Sequence, residues 1–243
     1  MLKPWDDRRD IAVPGDAKAT YEFCLEHFLK AYNAAVEEKG SFFVALSGGS
    51  TPKNIFKLLT SPAHVEKVDW TKVHLFWSDE RSVPPEDPDS NYKMAMDAGF
   101  SSLPIPPEQI HRMVAEKEIE KGAMQYEELL KKTLQGKGLD YLMLGMGDDG
   151  HTASLFPGTK ALGETQKLVV ANHVPQKKTD RMTFTFTCIN QAKEIVIYVV
   201  GKNKQEKVQE ILSLEDNVYP VQHVGTKEHK ALWILDTEAL PNP

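Results

Sequence analysis

The sequence is poor in the features that would place a chain outside the cell, in a membrane or on nucleic acid. It holds two cysteines, Cys24 and Cys188, too few for a disulfide framework and without zinc-binding spacing. Its longest apolar run, residues 195–200, is far too short to span a bilayer. The opening Met1-Leu2-Lys3-Pro4-Trp5-Asp6-Asp7 lacks the apolar core of a signal peptide. Lys and Arg number 29 against 35 Asp and Glu, and the net charge of −6 argues against broad nucleic-acid binding. No metal motif, internal repeat, low-complexity stretch or linker is visible. These absences predict a reduced, cytoplasmic protein, one domain over residues 1–243, that meets neither nucleic acid nor membrane. No apolar surface stripe stands out, which favours a monomer. An acidic chain can still hold one small anion where donors converge.

What is present is an ordinary globular composition, 41% apolar and 26% charged, well able to bury a core. Asp16 caps a helix predicted to run to about Lys39, with Tyr21, Cys24, Leu25, Phe28, Tyr32, Ala35 and Val36 on one stripe and Gly40 at its stop. Apolar runs at 42–46 and 195–200 read as strands buried on both faces. Further strands fit 73–77, 168–171 and 231–235, and 182–187 alternates strictly, as a strand with one apolar face. Helices fit around Ile55 to Leu59, from a Ser90 cap through Ala98, over 116–134, and around Val208, Ile211 and Leu212. Strands alternating with helices imply an α/β fold: a doubly wound, mainly parallel sheet with helices on both faces, Rossmann-like.

Ligands of such sheets gather outside the carboxyl ends of the strands, and three motifs fall there. Ser47-Gly48-Gly49-Ser50-Thr51-Pro52 joins a strand to a helix. Its glycines let the backbone approach an anion, Pro52 suits the first helical position, and free amides with three hydroxyls point outward. The same pattern also serves a well-capped helix start, and the Gly-Lys-Ser/Thr ending of a Walker loop is missing. Asp79-Glu80-Arg81 follows the second strand. Arg81 suits a developing oxyanion with Asp79 holding it or orienting water, or the triplet is a surface ion pair. Third, the run 141–144 breaks into Gly145-Met146-Gly147-Asp148-Asp149-Gly150-His151. His151 is the residue type suited to acid–base work near neutral pH, with Asp149 close enough to orient it. A helix start after it would lower its pKa, and nearby carboxylates would raise it. Arg181, before a strand, and Lys204, after one, are cations able to close on a phosphate or to remain solvated. The other histidines show no ligand spacing.

Taken in order, these motifs resemble the 6-phosphogluconolactonase family, within the broader glucosamine-6-phosphate isomerase/deaminase superfamily. The likeness rests on Ala45-Leu46-Ser47-Gly48-Gly49-Ser50-Thr51-Pro52, on Trp77-Ser78-Asp79-Glu80-Arg81 with Asp89-Ser90-Asn91-Tyr92, and on Gly145 to Gly158. Arg181-Met182-Thr183 and Gly201-Lys202-Asn203-Lys204 are similar to its later phosphate-binding elements. The resemblance implies hydrolysis of 6-phospho-D-glucono-1,5-lactone in the oxidative pentose phosphate pathway, with a small-molecule substrate, no organic cofactor and no required metal. It implies phosphate binding by Ser47, Gly48, Gly49, Ser50, Thr51, Arg181 and Lys204, and chemistry by His151, Arg81, Asp79 and Asp149. The deaminase branch resembles Ala-Phe-Asn-Glu-Pro after the histidine, using its glutamate. Here Thr152-Ala153-Ser154-Leu155-Phe156-Pro157 carries no carboxylate, which favours the lactonase. An aminosugar-phosphate deaminase or isomerase and a non-catalytic sugar-phosphate sensor remain as alternatives.

Overall fold

Short cap and turn chemistry sets the ends of the elements in a computed structural model that describes residues 2–213 and 218–241. Two short strands, β1 (Leu2–Pro4) and β2 (Arg9–Ala12), open the chain. Then comes α1 (Ala17–Lys39), whose Ala19 amide donates to the Asp16 carboxylate at 2.9 Å. The helix stops where Gly40 turns left-handed, φ 76°, and donates its amide to the Val36 carbonyl. β3 (Phe42–Leu46), α2 (Ser50–Leu59) and β4 (Val73–Trp77) follow, then β5 (Asp79–Arg81), α3 (Asn91–Asp97), α4 (Ile119–Leu134) and β6 (Tyr141–Gly145). β7 (Val169–Val174), β8 (Thr179–Phe184), α5 (Phe186–Ile189), β9 (Glu194–Val199), α6 (Gln205–Ser213) and β10 (Ala231–Leu235) complete the order.

The main sheet runs β1-β2-β10-β9-β6-β3-β4, parallel throughout except for β1 at the edge. It is the doubly wound, mainly parallel sheet that the alternation of elements predicts. From β3 the chain steps outward to β4, then crosses to β6 on the other side of β3 and continues outward. The connection therefore reverses between β3 and β6, and the loops leaving their carboxyl ends diverge to leave a crevice. The central strands bury both faces: every residue of β10 is buried, as are all of β6 but its terminal Gly145. Phe28 and Tyr32 of α1 meet Phe42 edge-on, and the buried apolar side chains other than Phe156 and Val174 form one continuous cluster.

Several boundaries depart from the sequence expectation. β1 and β2 are too short and polar to announce themselves; β2 pairs because β10 offers it an edge, and β1 pairs with β2 in turn. A second, antiparallel sheet, β5-β8-β7, makes a strand of Asp79-Glu80-Arg81 and places Arg181 inside a strand rather than ahead of one. The strand expected over 182–187 ends at Phe184, because the Thr185 hydroxyl turns to accept the Cys188 amide and starts α5. The third apolar strand begins at Val169, one residue later than expected, and α4 begins at Ile119 rather than 116. Pro52 is the third residue of α2, not the first, since Gly49 is the cap. No helix follows His151; a bridge between Thr152 and Leu155 closes a turn there instead. No helix among the described residues is long and apolar enough to cross a membrane.

Tyr126 of α4 fastens the carboxyl end of β4. Its hydroxyl accepts the Trp77 amide at 3.0 Å and donates to the His111 carbonyl at 2.8 Å. Burial drives its phenol far above the ordinary range. Tyr126→Phe strands a buried donor and acceptor and is expected to destabilise the fold by about 1–3 kcal/mol, read from urea unfolding. An unchanged midpoint would refute that role.

Candidate active site

The crevice at the reversal point holds a cavity of about 220 Å³. One wall is the loop between β3 and α2. Gly49 caps α2 with no side-chain bond, so the first amides of the helix, those of Ser50 and Thr51 among them, have no carbonyl of their own turn to meet. They stand with the positive end of the helix dipole facing the cavity, an arrangement suited to an anion. Gly48 is required by packing: a Cβ there would lie 2.1 Å from the Asn91 Oδ1.

Asn91 leads to the second wall. Its Nδ2 donates to the Asp79 carbonyl at 2.9 Å and to Asp79 Oδ1 at 3.2 Å, while Ser154 Oγ donates to Asp79 Oδ2 at 2.6 Å. Asp79 is only 5% exposed, and both its oxygens are engaged. Glu80 faces the other way. It accepts the amides of Arg81, Asn91 and Tyr92 and the Ser90 hydroxyl, gathering the amino end of α3. Burial raises its pKa and those backbone bonds oppose the rise.

Pairing of β5 with β8 sets Arg81 directly opposite Arg181. Like charges opposite each other on paired strands repel. Neither guanidinium has a carboxylate within ion-pair distance among the described residues, and both Nε atoms are buried without a partner. Burial lowers the pKa of Arg181, with Asp79 opposing and Arg81 adding to the fall. Arg81 Nη1 also donates to the Asp89 carbonyl. Lys204, the third cation, stands in a single 3-10 turn, Lys202–Lys204, after β9 and is already paired with Asp148.

The third wall follows β6. His151 Nδ1 lies 2.5 Å from Asp149 Oδ1, which also accepts the His151 amide at 3.1 Å. The ring stacks on Phe156 with centroids 3.9 Å apart. A Cβ at Gly147 would fall 2.0 Å from Nδ1, so glycine is needed for the imidazole to seat. With Nδ1–H directed at a carboxylate, the neutral ring leaves Nε2 as an acceptor, and no protein group bonds it among the described residues. For Asp149, burial favours the neutral acid, but the hydrogen bond and charge of His151 and the local amides outweigh it. The result is about 2, against an ordinary 3.8.

The structure thus brings Ser47, Gly48, Gly49, Ser50, Thr51, Asp79, Arg81, His151, Arg181 and Lys204 to one cavity, with Asp149 just behind His151. Asn91 and Ser154 are the contributors that the sequence alone does not single out. Asn91 stands beside the Ser90 cap and reads there as the first residue of a helix; only the fold shows it locking Asp79 to the glycine loop. Among the described residues no group of three His, Cys, Asp or Glu side chains is placed to hold a metal ion.

Residues 15–233 match the family described as glucosamine-6-phosphate isomerases/6-phosphogluconolactonase. The chain belongs to that family. A 6-phosphogluconolactonase of Chlamydia pneumoniae is 40% identical over 97% of this chain and 91% of its own length. The solved 6-phosphogluconolactonase of Thermotoga maritima superposes with a TM-score of 0.81 at 30% identity, covering 93% of this chain and 99% of that one. A monomeric glucosamine-6-phosphate deaminase superposes at 0.79 with 19% identity, over 94% of this chain and 98% of its own, so it shares the fold alone. Both branches of the family therefore share one scaffold, and side chains must separate them.

The Asp149 carboxyl sits below its unfolded value in the native state, so its bond to His151 stabilises the fold above about pH 4. That contribution fades as pH falls through 4 towards 2. The melting temperature of Asp149→Asn is expected to lie below wild type at pH 6 and to converge with it across that window. A gap that stays constant down to pH 2 would contradict the linkage.

Proposed function

We propose that this protein hydrolyses 6-phospho-D-glucono-1,5-lactone to 6-phospho-D-gluconate, the second step of the oxidative pentose phosphate pathway. The observation that carries the reading is the His151–Asp149 pair opening onto a cavity walled by uncompensated arginines. Asp79, the one carboxylate lining that cavity among the described residues, is fully engaged.

The phosphate of the substrate docks against the first amides of α2, the hydroxyls of Ser50 and Thr51, Arg181 and Lys204. Sequence reasoning gives Arg81 the carbonyl oxygen; its place opposite Arg181 favours a share in the phosphate instead. A dianion between the two guanidiniums turns their repulsion into attraction and gives both buried Nε donors a partner. Binding a group remote from the reaction in this way fixes the lactone carbonyl near His151. Nε2 takes a proton from water as its oxygen attacks the carbonyl carbon. Collapse of the tetrahedral adduct breaks the bond to the ring oxygen, and the imidazolium returns its proton there. Asp149 holds the tautomer and balances the transient positive charge. Asp79 positions Asn91 and Ser154, which shape the walls. The two cysteines are free and buried, which supports a reducing, cytoplasmic setting. One hydrophobic cluster spans both ends of the described chain and supports reading residues 1–243 as one domain.

His151→Ala is expected to lose on the order of 10²–10⁴ in kcat, measured by acid release from freshly made lactone and corrected for spontaneous hydrolysis. Near-normal turnover would refute the base. Ammonia release from glucosamine 6-phosphate would instead support a deaminase. Arg181→Ala and Lys204→Ala are expected to raise KM with kcat largely kept, and wild type to hydrolyse unphosphorylated gluconolactone poorly. Equal turnover of the two lactones would refute the anchor.

A further inference from the structure

Of the three cations in the cavity wall, two have no carboxylate partner and one does. Lys204 is the exception, and its partner is an unusual one. Asp148 is 81% exposed along its side chain, against 20% for Lys204. Its carboxylate makes no other hydrogen bond among the described residues, so it caps no helix and steadies no turn. The loop it rides on is held without it: the Gly150 amide donates to the Gly147 carbonyl at 3.0 Å, and the Gly147 amide to the His151 carbonyl at 2.9 Å. Lys204 is likewise set by its backbone, with Gly201 held from below by the buried Asp236 carboxylate at 3.0 and 3.1 Å. The other charged or titratable groups lining the same cavity are Arg81 and Arg181, paired across β5 and β8, Asp79, and His151 with Asp149 bonded to its Nδ1.

We infer that Asp148 is a competing counter-ion for Lys204, which limits how tightly the site holds a phosphate and so keeps product release easy. The inference rests on the reading of Lys204 as a phosphate ligand. A phosphate reaching Lys204 must displace Asp148 or share the ammonium with it, and the carboxylate also repels the dianion. Both effects weaken binding, so their sign does not depend on which is larger. An exposed ion pair costs little to break, so the site stays open to substrate. Hydrolysis leaves the phosphate unchanged, and the product would otherwise be held by the same anchor that bound the lactone. A competitor on one of its three cations loosens that anchor without disturbing His151. The Arg81–Arg181 wall, with no competitor, supplies the steady part of the attraction.

The test is a double-mutant cycle on the full chain, using inorganic phosphate and 6-phosphogluconate as probes in calorimetry and as inhibitors of turnover. Asp148→Asn is expected to bind both about two- to fivefold more tightly than wild type, the range set by exposed ion pairs. Lys204→Met is expected to bind both more weakly, and in that background Asp148→Asn is expected to lose most of its gain. A gain in the single variant that shrinks as salt is raised is also expected. Unchanged or weaker binding by Asp148→Asn would overturn the inference, and so would a gain that persists in full in the Lys204→Met background. Binding is read without turnover, so failure here is separate from failure of the lactonase reading, which wild-type hydrolysis of the lactone tests alone.

Discussion

Asp79 is a carboxylate with almost no access to water, and the walls of the cavity are joined by the bonds it requires. Burying such a group is unfavourable unless donors surround it. Ser154 and Asn91 are those donors, and each belongs to a different wall. Asn91 starts α3 and packs against Gly48, so the glycine loop cannot shift without disturbing Asp79. Ser154 lies three residues beyond His151, and its carbonyl accepts from Asn172 of β7. The small sheet, the anion loop and the histidine turn are therefore held in register by one buried charge. With both its oxygens engaged, Asp79 is suited to keep its neighbours in place.

The second sheet has a similar logic. A three-residue strand of Asp, Glu and Arg has little intrinsic reason to form. It forms because Glu80 gathers the amino end of α3 and because β8 offers a complementary edge. The consequence is electrostatic: two arginines meet across the pair with no carboxylate between them. A fold that tolerates such repulsion gains a region where a dianion is strongly favoured. On a chain of net charge −6, that field is local, built by register rather than by composition.

The central strands of the main sheet were legible because they are continuous apolar runs, a pattern that survives any detail of loops. The caps of α1 and α3 were legible for the same kind of reason: Asp16 and Ser90 act on neighbours three residues away. Features that depend on distant partners were not. β2 exists only against β10 and β1 only against β2, and the turn at Thr185 competes with a strand pattern that continues past it. The glycine loop and His151 stood out because ligand chemistry at strand ends uses particular residue types. The opposition of Arg81 to Arg181, a hundred residues apart, needed a register that no local pattern contains. Asn91 lay inside a recognised motif without a role of its own, because its importance lies in what it touches.

The shared scaffold makes the turn after His151 decisive. Here every polar side chain of the turn is committed elsewhere: Thr152 Oγ1 donates to the Gly145 carbonyl at 2.9 Å, and Ser154 Oγ is held by Asp79. Ala153 alone turns towards the cavity, in a left-handed conformation with φ 46° that its pinned neighbours enforce. The wall beside the histidine is thus closed to a second acid or base. Ring opening and amine loss from an aminosugar need protons moved at several positions, and one imidazole with no free carboxylate is poorly equipped for that. A lactone is already activated and needs one proton taken and the same proton returned. The role proposed for His151 asks for that and little more.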